Sequence, residues 1–240
     1  MKDIKLIAFD LDGTLTQHKE PLTEENRRVL DELAQRYHLV MVGAGQTQRI
    51  FRQLGGYPID IIGNYGLQYA CYDVERHDLQ VVCDLHLPCD RESVAQRITD
   101  LRRRFGYEEF AGESVEYHPS GCVTFPLLGT KAQQADKLAF DPDRTKRRAI
   151  YQTVVEAFPE YHVFVGGSSS FDMAPRPYDK YHALSAYCRE LSILESEVVY
   201  VGDDYGLGGN DESVYRSDIA FITVDDYRTF GERMAPLLAE

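Results

Sequence analysis

The sequence predicts an α/β protein, a mostly parallel sheet flanked by helices and interrupted by a smaller inserted α+β module. Two observations carry this expectation. Apolar runs bounded by turn residues alternate with amphipathic segments at both ends of the chain. The middle instead sets several short alternating stretches around two helical ones.

Taken in order, Ile4 to Phe9 reads as a buried first strand. Leu22 to Tyr37 follows as a helix, with Leu22, Val29, Leu30 and Leu33 at helical spacing and Thr23 as its cap, Asn26 standing where a capping box would have an acid. Leu39 to Val42 is a second strand, Gln48 to Leu54 a short helix, Asp60 to Ile62 a third strand, and Val198 to Val201 a late strand running into Gly202-Asp203-Asp204. Between them, Ser114 to Tyr117, Cys122 to Pro126, His162 to Phe164 and Ser170 to Met173 alternate like strands, around helical stretches Arg91 to Phe105 and Arg144 to Phe158. The expected division is therefore a core made of residues 1–80 and 178–240, with residues 81–177 inserted.

Composition bounds the chemistry. With 240 residues, 43% of them hydrophobic, the chain can bury a real core without staples. The five cysteines are odd in number and have no metal-site spacing, which points to reduced thiols in a cytoplasmic protein. The opening MKDIKLIAFDLDGT has only a short apolar run ending in acids, so neither a signal peptide nor a membrane span is expected. A formal charge of −13 disfavours nucleic acid and anionic membrane as partners. A small phosphorylated metabolite remains suitable if a metal and a few cations focus positive potential locally.

The strongest signal is Asp10-Leu11-Asp12-Gly13-Thr14 directly after the first strand. Side chains two apart leave a strand on one side, so Asp10 and Asp12 are expected to converge at the carboxyl end of the sheet, where open α/β folds bind ligands. Gly13 permits a sharp turn, and the amides after it, with Thr14, are expected to donate to phosphate oxygens. An isolated run of this kind is also an ordinary acidic turn; Lys180 and Asp203-Asp204 later in the chain weigh against that reading. Two carboxylates can work on a phosphate dianion only with a divalent cation between them, and oxygen ligands suit Mg2+, held by Asp10, the main-chain carbonyl of Asp12 and Asp203. Lys180 would neutralise charge on the transferring group.

These residues resemble the motifs of the haloacid dehalogenase (HAD) superfamily: DxDGT is met by Asp10, Asp12, Gly13 and Thr14, the lysine by Lys180, and the acidic fourth motif by Asp203 and Asp204. The resemblance implies a Rossmann-like core with an inserted α/β cap, Asp10 as nucleophile forming an aspartyl phosphate, and Asp12 as general acid and base. Asp12 also argues against dehalogenation, which does not need it. The stretches Gly166 to Asp172, Tyr178-Asp179-Lys180 and Gly208-Gly209-Asn210-Asp211 are similar to those of eukaryotic-type phosphomannomutases. That similarity implies sugar-hydroxyl contacts from Ser170 and Asp172 and a substrate contact from Asn210; related mutases dimerise through the cap, so a homodimer through the cap is compatible with it.

Three features depart from that pattern or leave it open. The cap arginines that would clamp a second phosphate read His118, Thr130 and Lys137, with Arg144, Arg147 or Arg148 as substitutes. The phosphate-binding hydroxyl after strand two reads Gly45, so backbone amides of the turn or Thr47 would have to serve. Asn64, in Gly63-Asn64-Tyr65-Gly66, either faces the site or simply makes a turn. The combined reading is a Mg-dependent sugar-phosphate phosphatase, with a phosphomannomutase as the alternative and a silent sugar-phosphate binding protein as a third.

Overall fold

The computed structural model describes residues 3–239. Its first half contains β1 (Leu6–Phe9), α1 (Glu24–Leu33), β2 (His38–Val42), α2 (Thr47–Gln53), β3 (Asp60–Gly63), β4 (Gln68–Asp73), β5 (Asp78–Asp84), α3 (Arg91–Phe105), β6 (Glu116–Tyr117) and β7 (Val123–Pro126). There follow α4 (Gln134–Phe140), α5 (Thr145–Ala157), β8 (Tyr161–Phe164), β9 (Ser170–Pro175), α6 (Lys180–Glu190), β10 (Val198–Gly202), α7 (Glu212–Tyr215), β11 (Ala220–Thr223) and α8 (Phe230–Leu238). The chain divides into two compact units. The first runs to Asp84 and resumes over Asp179–Gly206 and from Asp211 onward; the second is Leu85–Tyr178 with Leu207–Asn210.

The first unit is built on a seven-stranded sheet in the order β11-β10-β1-β2-β3-β4-β5. Strands β11 to β3 are mutually parallel, and β4 and β5 add an antiparallel hairpin. Its central strands are apolar throughout because both faces are covered. Ile7 and Phe9 of β1, Leu39 and Met41 of β2, and Val199 and Val201 of β10 pack with Leu30, Leu33, Ile50, Phe230 and Met234 from α1, α2 and α8. Leu6, Ala8, Val40, Val42, Val198 and Tyr200 face the other way, onto Ala183, Leu184 and Tyr187 of α6 and Val214 of α7. Each fully buried aliphatic side chain contributes roughly 1.5–3 kcal/mol, enough to hold the strand ends, and the loops on them, in fixed positions.

Thr23 caps α1 as expected, its hydroxyl accepting from the Asn26 amide. Asn26 is no failed capping box. Its buried Nδ2 donates to the carbonyls of Leu15 and Tyr227, both at 2.9 Å, tying the loop after β1 to the turn that precedes the last helix. The β4–β5 hairpin departs from the expected division: β5 runs through position 81 to Asp84 as a sheet edge, with Val81 and Val82 exposed, and Leu207–Asn210 falls with the second unit.

The second unit has an antiparallel sheet in the order β6-β7-β9-β8. One face, with Val123, Phe125, Phe171, Met173 and Val163, is covered by Val94, Ile98 and Leu101 of α3 and Ile150 and Val154 of α5. Alternation then puts Thr124, Ser170 and Asp172 on the opposite face. Helix α3 is closed by an Asp90 cap and by Gly106 at φ 73°, a left-handed position that suits glycine.

Candidate active site

Asp10 stands just beyond the end of β1, nearly buried, its amide donating to the Val201 carbonyl of β10 at 2.9 Å. Lys180 opens α6, which Asp179 caps by accepting from the His182 amide. The helix start aims the fully buried ammonium at two carboxylates, Asp10 Oδ1 at 2.5 Å and Asp211 Oδ1 at 2.7 Å. Burial by itself would strip that proton, but Asp10 and Asp211 outweigh it and hold the lysine above its ordinary pKa.

Asp203 follows β10 and completes the cluster. One carboxylate oxygen from each of Asp10, Asp203 and Asp211 lies within 4.8 Å of the others. Burial, then the Asp211 and Asp204 charges, push the Asp203 carboxyl up to about 6. Burial likewise raises Asp10 well above the ordinary range, with Asp211 and Asp203 adding to it against the pull of Lys180. Three carboxylates, two of them buried, against one ammonium leave an excess of negative charge that a divalent cation would relieve, so the donor set fits Mg2+.

Asp211 was not singled out from the sequence, where Asn210 was preferred. The Gly-Gly-Asn-Asp run was the available signal, and only the turn decides which of its last two side chains enters the cluster. The fully buried Asp211 accepts from Lys180, from the Tyr200 hydroxyl at 2.6 Å and from the Asp204 amide at 3.1 Å. With both oxygens engaged, it orients the lysine. Asn210 falls with the second unit.

Asp12 and Thr14 both make contacts within the protein. The Asp12 carboxylate does not join Asp10 in the acidic cluster. Its Oδ1 accepts from the Lys19 amide at 2.8 Å and from Gln53 Nε2 at 2.7 Å, and its Oδ2 lies 3.9 Å from both His18 Nδ1 and Arg49 Nη2. The buried Thr14 hydroxyl donates to Asp203 Oδ1 at 3.1 Å, orienting that carboxylate. Gly13 is required twice over, by φ 101° and because a Cβ there would come within 2.5 Å of Asp203 Oδ2.

The turn after β2 brings Gly45 and Asn64 together, the Asn64 amide donating to the Gly45 carbonyl at 2.9 Å. Asn64 has φ 48°, a left-handed position asparagine tolerates well, which accounts for the residue conformationally. Thr47 cannot stand in for a hydroxyl at Gly45, since both its amide and its hydroxyl are donated to Gln68 Oε1.

In the second unit Asp172 Oδ1 accepts from Thr124 Oγ1 at 3.0 Å, and His118 Nε2 lies 3.1 Å from the same hydroxyl. Burial raises the Asp172 carboxyl above its ordinary pKa, against Thr124, His118 and Arg147. Ser170 Oγ donates to the Gly166 carbonyl at 3.1 Å. Thr130 accepts from the Glu113 amide, and Lys137 donates to the Thr130 carbonyl. Arg147 is no substitute phosphate clamp: it is buried, ion-paired with Asp141 at 2.8 Å, and bonded to the carbonyls of Gly166, Gly167 and Ser170.

Known proteins resemble this chain in sequence and in fold. A family model described as haloacid dehalogenase-like hydrolase matches residues 109–211. A probable phosphomannomutase of Caenorhabditis elegans is 23% identical over 89% of this chain and 87% of its own. The chain is thus similar in sequence to haloacid dehalogenase-like hydrolases and to phosphomannomutases. The HAD fold, a Rossmann-like core with a cap, extends over the whole length: an IMP-nucleotidase of Plasmodium falciparum superposes with TM-score 0.70 at 14% identity, over 100% of this chain and 69% of that one. A HAD subclass IIB sugar phosphatase superposes with TM-score 0.64 at 14% identity, over 97% and 98%. Among the described residues, no helix is long and apolar enough to cross a membrane.

Proposed function

We propose that the protein is a Mg-dependent phosphatase of a small sugar phosphate, working through an aspartyl phosphate on Asp10. The observation that carries this reading is the buried Lys180 ammonium bridging Asp10 and Asp211 inside a cluster of three carboxylates. An arrangement this costly to bury is not needed for the fold and suits a site that meets a phosphate dianion.

Asp10 Oδ1 is taken by Lys180, and Oδ2 has no hydrogen-bond partner among the described residues, so Oδ2 attacks phosphorus. The P–O bond to the sugar breaks as the leaving oxygen takes a proton from Asp12. Asp12 then removes a proton from water, whose oxygen attacks the aspartyl phosphate and releases inorganic phosphate with Asp10 regenerated. Gln53 and the Lys19 amide occupy Asp12 Oδ1, which leaves Oδ2 to carry the proton. Lys180 offsets charge on the transferring group, and Thr14 and Gly13 fix Asp203. Bound by Asp10, Asp203 and the main chain of Asp12, magnesium would supply the remaining charge neutralisation.

In the second unit, Asp172, Ser170 and Thr124 are proposed to recognise sugar hydroxyls. The phosphomannomutase reading draws on the relatives that match most of the chain. Against it stand His118, Thr130 and Lys137 in place of arginines, and an Arg147 wholly committed to internal contacts. Five free cysteines support a reducing, cytoplasmic setting.

Purified protein with magnesium and a panel of hexose phosphates, including mannose 1-phosphate with glucose 1,6-bisphosphate, tests both readings. Phosphate release that disappears in Asp10→Asn supports hydrolysis. Isomerisation with little phosphate release hands the assignment to the mutase, and silence in both channels rejects both.

A further inference from the structure

In the pattern this chain resembles, a phosphate-binding hydroxyl follows β2; here Gly45 stands in its place, and the space a side chain would fill is already occupied. A Cβ built on Gly45 would lie 2.2 Å from Arg49 Nη2 and 2.5 Å from Arg49 Nε. The guanidinium lies across the glycine, one turn into α2. Gln53 holds it there by accepting from Arg49 Nη1 at 2.9 Å, and the same Gln53 donates to Asp12. Arg49 Nη2 is 3.9 Å from Asp12 Oδ2, an ion pair without a hydrogen bond. Among the described residues, neither Nη2 nor Nε has an acceptor within hydrogen-bond distance, and 43% of the side chain is exposed.

We propose that Arg49 is a phosphate-binding residue of this site, its Nε–Nη2 edge taking the oxygens of the substrate's phosphoryl group, and that position 45 is glycine to make room for it. Three facts converge on this. A planar guanidinium with one edge restrained and the other uncommitted is shaped for bidentate binding of an oxyanion. It stands beside the carboxylate assigned as acid and base, where the phosphoryl group must come. The other candidate donor on this turn, Thr47, is spent on Gln68. Arg49 also balances part of the charge of Asp12, and a role confined to that balance is the competing explanation.

The inference rests on the phosphoryl-transfer reading, so its test has a binding arm independent of turnover. Inorganic phosphate is titrated calorimetrically, in the presence of magnesium, into wild type, Arg49→Ala, Arg49→Lys and the double variant Gly45→Ser/Arg49→Ala, with hydrolysis measured in parallel. Loss of the fork is expected to weaken phosphate binding roughly 10- to 100-fold in Arg49→Ala and to raise KM similarly. Arg49→Lys should recover only part, since an ammonium lacks the fork. The serine of the double variant, placed in the space the guanidinium has left, should regain part of the affinity. Phosphate affinity unchanged in Arg49→Ala, whether or not kcat falls, overturns the inference while leaving the hydrolase reading intact. So does a wild type that hydrolyses monoesters yet binds no phosphate. A wild type that turns over no monoester but loses phosphate affinity in Arg49→Ala supports the anion site and removes the hydrolase reading instead.

Discussion

In the first unit a buried lysine sits between two carboxylates, whereas in the second a buried arginine sits among neutral acceptors. Lys180 reaches Asp10 and Asp211. Arg102, 3% exposed, spends its donors on Ser114 Oγ and on the carbonyls of Tyr107, Leu127, Ser114 and Pro126, with no carboxylate partner among the described residues. Burial lowers the Arg102 pKa to about 10, while Lys180 is raised above its ordinary value. The same contrast runs through composition. The first unit has 14 Lys and Arg against 26 Asp and Glu, the second 12 against 13, so nearly all the net negative charge belongs to the unit with the acidic cluster. Arg102, among carbonyls, is a staple that closes loop ends.

The comparison breaks most sharply at Lys180. Lys180→Met should lower kcat about a thousandfold, because it removes the fixed cation that meets developing charge. Steady-state kinetics on the best substrate of the panel check this, and a loss under tenfold would make Lys180 a structural counter-ion only.

Arg102→Leu should act on stability instead. It removes the guanidinium from four carbonyls, two of them in buried bonds, and one hydroxyl, and should cost about 3 kcal/mol, read from urea unfolding. Hydrolysis measured well below the transition should stay within a few-fold of wild type. A thousandfold loss there would erase the distinction between the two buried cations.

A smaller effect sharpens the picture of the acidic cluster. The Asp203 carboxyl is raised from 3.8 to about 6, so between these values the folded state binds more protons than the unfolded one. Stability from this group is then present at low pH and falls as pH rises from about 4 to about 6. In chelator, wild type should lose about 2 kcal/mol relative to Asp203→Asn over that interval, and saturating magnesium at neutral pH should reverse the loss. Parallel pH profiles for the two proteins would refute the assignment.

Much of the core was legible because β1, β2 and β10 are covered on both faces and so read as unbroken apolar runs. The β4–β5 hairpin was not, because its strands are half exposed and mix Gln68, Tyr69, Cys71 and Asp73 without alternation, and its edge strand blended into the inserted module. At the site, Asp10, Lys180 and Asp203 could be picked out since each follows a strand or opens a helix at a recognisable motif. Asp211, Tyr200, Gln53 and Arg49 could not. Tyr200 looks like one more residue of a buried strand, and its hydroxyl matters only because Asp211 folds back under it.

The sequence by itself determined a two-part α/β architecture and a strand-end cluster of aspartates with a distant lysine, since hydrophobic period and turn chemistry are local properties. Tertiary structure alone decided which of two adjacent residues, Asn210 or Asp211, meets Lys180, and that Thr14 serves Asp203. It also decided that Asp12 is held by Gln53 and that the place of a missing side chain at Gly45 is filled by Arg49. Those choices depend on side-chain directions across loops brought together from 170 residues apart, as Asp10 and Lys180 are, and no local periodicity encodes such directions.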